Sequence, residues 1–252
     1  MIHAGAIVDP GAKLGTGVSI GPWSVIGPDV ELGNDVEIAS HVIVKGPCRI
    51  GAGVKIYQFA SVGEDTPALA YAGEASTLDI GAGTIIREGV TIHRGMDRGG
   101  IGRTAVGCHC LLMAYVHVGH DCVVGDHVIM ANNASLAGHV EVGDYANFGG
   151  YVGVPQFRKI GAHTHIAAMS MVTKDVPAYM TVSGNPAFAV GMNTEGMKRR
   201  GYSSETIDLL KQAYRTVYRK GLRVAEAIDE LAQLREQSAE VERFAASVEA
   251  SA

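Results

Sequence analysis

Aromatic side chains are scarce in this 252-residue chain, at 6% with a single tryptophan. Any core it builds must therefore be filled by aliphatic residues. Proline is limited to 8 residues and glycine follows no strict every-third spacing, which excludes a collagen-like helix. There are only four cysteines, Cys48, Cys108, Cys110 and Cys122. They make no disulfide framework for a chain this long, and a reducing compartment suits them. Cys108-His109-Cys110 lacks a second ligand pair at zinc-finger spacing, so no metal is expected there. An excess of positive charge is also missing. Net charge is −5 and the pI about 6.0, which gives no footprint for nucleic acid. No run of 18 apolar residues occurs, so no transmembrane segment is expected. Met1-Ile2-His3-Ala4-Gly5 has no basic region followed by an apolar run, so no secretory leader is expected and the reading is cytoplasmic.

What is present is glycine, 33 of 252 residues, well above the usual share of about 7%. Hydrophobic residues make up 47%, enough to exclude disorder. Aliphatic residues recur every sixth position at Leu14, Ile20, Ile26, Leu32, Ile38, Val44, Ile50, Ile56 and Val62. Glycine directly follows many of them, as at Gly15, Gly21, Gly33 and Gly51, and a small or β-branched residue stands four places after each. The ruler resumes at Ile80, Ile86 and Ile92, slips by two, then runs from Val106 to Val172. A period of six fits neither an α-helix nor a hairpin sheet. It fits a parallel β-helix of hexapeptide repeats, three hexads to an 18-residue coil, with glycine expected to serve the turns.

Two stretches, residues 65–77 and 94–104, break the ruler and are expected to project as loops. The second carries Arg94, Asp97, Arg98 and Arg103, and loops on a rigid scaffold are where binding tends to lie. Residues 1–182 are assigned to the β-helix domain. Residues 183–252 are assigned to a non-repeating connector around Gly184-Asn185-Pro186 and an α-helical domain. Helices are expected from Ser203 to Gly221, from about Arg223 to Gln237, and near Ala239–Val248.

Residues 18 apart stack, about 4.8 Å per coil. His120, Gly138 and Gln156 form one column, and His117, Ser135, Gly153 and Met171 another. His139 stands one coil above Asp121. An outward histidine is a natural general base, and Asp121 or another carboxylate could hold its tautomer. Solvated surface histidines, or three histidines around a zinc, are the alternatives at this point.

Several blocks carry more than spacing: Ile56-Tyr57-Gln58-Phe59-Ala60-Ser61-Val62-Gly63-Glu64, Tyr71-Ala72-Gly73-Glu74, Ile92-His93-Arg94-Gly95, Gly119-His120-Asp121-Cys122, Leu136-Ala137-Gly138-His139-Val140 and Gly196-Met197-Lys198-Arg199-Arg200-Gly201. With these the chain resembles the acyl-carrier-protein-dependent UDP-N-acetylglucosamine O-acyltransferases of lipid A synthesis, over nearly its whole length. The resemblance implies a left-handed β-helix and a homotrimer with sites between subunits. It implies transfer of a 3-hydroxyacyl chain from acyl carrier protein, on its phosphopantetheine arm and with no other cofactor or metal, to the sugar 3-hydroxyl. It assigns catalysis to His120 and the Gly138 N–H. It assigns substrate contacts to His117, Asp121, His139, Gln156, Asn193, Glu195, Arg199 and Arg200, the two arginines serving the diphosphate. Ala168, with Met169 and Met171, falls at the acyl-chain ruler. Counting three coils from His120 to Ala168 gives roughly 14 Å, room for about ten to twelve carbons.

Three positions depart from the family pattern. Ala68 and Ala70 replace an Asp and a Lys, and Pro155 replaces a His. These leave open a different nucleotide-sugar acceptor, or a non-catalytic scaffold.

Overall fold

The computed structural model describes residues 1–251 and consists of a triangular prism capped by helices. Three sheets of eight, eight and ten strands form its faces. Face I contains His117–Val118, face II Val123–Val124 and face III Ile129–Met130. The prism strands are parallel, and partners in the regular coils are 18 residues apart, as in His117 with Ser135 and Ser135 with Gly153. Where the ruler breaks, Val62 pairs with Ile92 and Ile80 with Val106. The extra residues leave the coil and the register closes behind them.

Within each two-residue strand the second residue points inward and the first outward. Val62, Leu112 and Leu136 are fully buried, and the interior is an aliphatic column in which Phe148 is an exception. Low aromatic content follows from this narrow section.

The corners show the expected role of glycine at Gly17, Gly53, Gly83 and Gly89, but most corners do without it. Each corner has two residues, and beyond the first two corners the second mostly has a left-handed backbone. That position holds His41, His109, Asp121, His139, Tyr145 and Phe157 among others, with φ between 55° and 66° at these and the neighbouring corners Phe59, Tyr115 and His163. The conformation costs about 1–2 kcal/mol for a non-glycine residue. A ladder bond offsets it: the second corner N–H donates to the first corner carbonyl one coil below, as in His139 N to His120 O at 2.9 Å. The first corner N–H is outside this ladder, and Pro10, Pro22 and Pro28 occupy such positions without losing a bond.

The glycines of the ruler serve a different need. A Cβ on Gly81 would lie 2.4 Å from both Cys108 N and Gly107 C in the next coil. Backbone passes too close there for any side chain. Gly81→Ala is expected to destabilise the fold by about 3 kcal/mol, the upper part of the overpacking range. Gly191→Ala, where nothing lies within 4 Å, is expected to change little. Denaturation of the two variants checks this; equal stability would contradict it.

The expected connector is not irregular. Met180–Gly184 continues face III in parallel with His165–Ile166 and then turns into an antiparallel hairpin with Ala187–Met192. Helix α1 follows at Thr194–Arg199, capped by Asn193. Helix α2 spans Ser204–Arg219, with the Ser203 side chain accepting from Thr206 N. The expected second helix is broken into α3, Val224–Glu230, and α4, Ala232–Arg235. Helix α5 is Ala239–Glu249. Leu210, Val241 and Phe244 from α2 and α5 join the prism core, and Ser247 Oγ accepts from Ala178 N at 2.9 Å. The helices thereby cover the unpaired last coil. No described helix is long and apolar enough to cross a membrane.

Candidate active site

The corner between faces I and II collects most of the chemistry. Both insertions leave the prism there, since each joins a face I strand to a face II strand. Residues 65–77 and then 94–104 occupy successive coils, followed by His120-Asp121, Gly138-His139 and Gln156-Phe157. Sequence spacing separates these elements by dozens of residues; the prism stacks them in one column.

His120 is 6% exposed and Asp121 3%. His120 Nδ1 lies 2.8 Å from Asp121 Oδ2. Because a carboxylate only accepts, Nδ1 carries the proton, and in the neutral imidazole Nε2 keeps its lone pair. Nε2 points over the next coil: a Cβ on Gly138 would lie 2.5 Å from it and 2.6 Å from Cε1. The imidazole thus rests where a side chain would be. The Gly138 N–H, a first-corner amide, has no hydrogen-bond partner among the described residues. A lone pair and a free donor therefore stand side by side.

His139 is edge-on to His120, with centroids 4.9 Å apart, and its other face stacks on Phe157 at 4.4 Å. Burial lowers the His139 pKa, with Asp121 opposing. On face I, His117 Nδ1 is 2.8 Å from Thr91 Oγ1, and burial lowers its pKa as well, helped by His93 and His120. Both shifts favour neutral imidazoles near pH 7.

The ligand atoms of His120, Asp121 and His139 lie within 4.8 Å of one another, which raises a metal centre. The carboxylate has no capacity left for one. Oδ1 accepts from Ile101 N at 2.8 Å and Gly102 N at 3.1 Å, and Oδ2 from Met96 N at 3.1 Å and from His120. The donor set is that of a base and the group that orients it. Sequence reasoning missed these amides, because backbone donors have no side-chain signature.

The charges expected to bind ligand from residues 94–104 are partly structural. Arg94 is 6% exposed and donates to Gly63 O and to the Asp65 carboxylate. Arg103 pairs with Asp79 at 2.6 Å.

Of the remaining expected residues, Gln156 stays in this column and the others lie elsewhere. Gln156 is exposed one coil above Gly138. Asn193 spends its side chain locally: Nδ2 donates to His163 O at 2.9 Å and Oδ1 caps Gly196 N at 3.0 Å. Glu195 pairs with Lys198 at 3.2 Å, and Arg199 is exposed. Arg200 donates to Tyr145 O at 2.9 Å and lies over the Tyr145 ring. These four belong to the edge between faces II and III, not to the His120 corner. One chain does not bring the two groups together.

Ala168 also moves. It stands three coils above His120, as counted, but at the corner between faces III and I. Its 48 residues from His120 are eight hexads, one short of three full coils, which sets it on a different corner. Met169 is exposed beside it. Met171 lies on face I, with its Sδ and Cε 3.2 and 3.0 Å from where a Gly153 Cβ would be.

A β-helix of hexapeptide repeats, a histidine held by a carboxylate and an adjacent free amide are features of a hexapeptide acyltransferase. The hexapeptide transferase model matches residues 11–46 and 103–138, and the model for domain 2 of UDP N-acetylglucosamine O-acyltransferase matches residues 175–252. The acyl-[acyl-carrier-protein]–UDP-N-acetylglucosamine O-acyltransferase of Stutzerimonas stutzeri is 54% identical, covering 100% of this chain and 97% of the relative. That of Saccharophagus degradans is 52% identical, covering 99% and 96%. Among solved structures, LpxA from Acinetobacter baumannii superposes with a TM-score of 0.96 at 44% identity, covering 100% and 97% of the two chains. The Arabidopsis UDP-N-acetylglucosamine acyltransferase gives 0.87 at 33%, covering 100% and 96%. The chain belongs to the acyl-carrier-protein-dependent UDP-N-acetylglucosamine O-acyltransferase family, and its prism is the left-handed parallel β-helix of that family.

Proposed function

We propose that the protein transfers a 3-hydroxyacyl chain from acyl carrier protein to the 3-hydroxyl of UDP-N-acetylglucosamine, the first step of lipid A synthesis, in the cytoplasm. The observation that carries the reading is the His120 Nε2 lone pair beside the Gly138 N–H, with Nδ1 held by Asp121. Nε2 takes the hydroxyl proton as the sugar oxygen attacks the thioester carbonyl. The carbonyl oxygen becomes an oxyanion, for which the Gly138 N–H is a donor. Collapse expels the phosphopantetheine thiolate, which recovers the proton from the imidazolium. No cofactor beyond the donor's own arm is needed.

The placement of Asn193, Glu195, Arg199 and Arg200 on another edge supports a homotrimer in which one copy offers the base and a neighbour the diphosphate contacts. Arginine forks suit phosphate oxygens; exposed Arg199 is free to do so, whereas Arg200 is already engaged by Tyr145.

For the donor, Met171 folded over Gly153 shortens face I above His117. This supports an acyl chain of about ten to twelve carbons. A second acceptor, another nucleotide amino sugar, is favoured by Ala68 and Ala70, which stand in the insertion of the same corner column. One assay tests both points: carrier proteins loaded with ten-, twelve- and fourteen-carbon chains against a panel of nucleotide sugars. UDP-N-acetylglucosamine with the shorter donors is the expected pair. Met171→Ala is expected to raise use of the fourteen-carbon donor about tenfold, the scale of one or two methylenes. Turnover only with another sugar, or equal use of all donors by the parent, would overturn the respective point.

A further inference from the structure

We propose that the segment Met96–Gly102 is an amide cradle that fixes the Asp121 carboxylate, and that Gly100 is the positioning residue that makes room for it. The inference rests on His120 being the base and concerns what holds that base in place. An ordinary corner here needs two residues. The insertion instead wraps back on the coil above it and turns three backbone N–H groups, of Met96, Ile101 and Gly102, onto one carboxylate. Gly102 N also donates to Met96 O at 2.9 Å, which closes the segment on itself. From the other side, Thr104 Oγ1 accepts from Asp121 N at 2.8 Å. Thr104 is fully buried.

Gly100 is required by space. Its φ is not in the left-handed range, so its backbone conformation is open to alanine. A Cβ there would lie 2.5 Å from Asp121 Oδ1, 2.6 Å from Asp121 Cγ and 2.3 Å from Met96 O. A methyl group must push the carboxylate or the segment away, and the imidazole bonded to Oδ2 moves with it. The segment is rooted at Arg94, whose backbone N–H donates to Glu64 O at 3.0 Å and whose guanidinium reaches Gly63 O and Asp65. The first insertion, the cradle, Asp121 and His120 are thereby one connected unit.

The test is a double-mutant cycle on the full-length protein with UDP-N-acetylglucosamine and a 3-hydroxyacyl carrier protein. Gly100→Ala is expected to lower kcat about 10–100-fold, the effect of a base displaced by about 1 Å, with KM for both substrates nearly unchanged. The double variant Gly100→Ala/Asp121→Asn is expected to be no slower than Asp121→Asn alone, because both act through one carboxylate. Thr104→Val, which removes the acceptor for Asp121 N, is expected to show the same non-additivity. It decides the matter if Gly100→Ala does not fold. Gly191→Ala is the control for a glycine replaced in open space. Parental kcat in Gly100→Ala, or losses that multiply in the double variant, would overturn the cradle. Full activity in His120→Ala would overturn the base itself; an inactive His120→Ala beside a fully active Gly100→Ala sinks only the cradle.

Discussion

Replacing His120 with alanine is expected to lower kcat by about 10²–10⁴-fold, the usual contribution of a positioned general base. The thermal stability should be little affected. The imidazole lies outside the aliphatic column, which is built from Val118, Val124 and their partners one coil above and below. Neither neighbouring histidine can substitute. His117 Nδ1 is engaged by Thr91 and its ring is on face I, while His139 is sandwiched between His120 and Phe157 without a carboxylate partner. Steady-state acyl transfer, read with the melting temperature, separates this outcome from unfolding. A variant that is folded and as active as the parent would mean that His120 is not the base.

Gly138→Ala is expected to be nearly as damaging, by about 10²–10³-fold in kcat, the loss seen when one oxyanion donor fails. Two effects combine. The added methyl occupies the space of His120 Nε2, at 2.5 Å, so the base must swing off Asp121. The displaced ring or the methyl also screens the amide. The backbone at Gly138 is not left-handed, so alanine is tolerated there conformationally and the fold should persist. Activity within twofold of the parent would mean that the ring does not sit on that amide in solution.

The hexad ruler made the fold legible, because a narrow prism leaves one kind of residue at each inward position. Column arithmetic likewise puts His120, Gly138 and Gln156 in one stack. Three things were out of its reach. Left-handed corners hold glycine at Gly17, Gly53, Gly83 and Gly89 but His, Tyr, Phe or Asp at many others, so turns account for only part of the glycine, and Gly81 is needed for the approach of two backbones. Coil counting places Ala168 in the third coil above His120, but 48 residues are eight hexads, one short of three full coils, so it stands on another corner. The cradle around Asp121 is made of amides from Met96, Ile101 and Gly102, and only Gly100 leaves a trace in the sequence. After Val172 the ruler ends, and the local duties of Asn193 and Arg200 as a helix cap and a clamp on Tyr145 follow from packing alone.

The central claim is that His120 Nε2 meets the acceptor hydroxyl. A crystal structure of the complex with UDP-N-acetylglucosamine measures it directly. The account predicts the sugar 3-hydroxyl oxygen about 2.6–3.2 Å from Nε2, the reach of a general base, with the Nδ1–Asp121 bond intact. A bound sugar whose hydroxyl instead contacts His117 or His139, with His120 Nε2 facing no substrate oxygen, would contradict it.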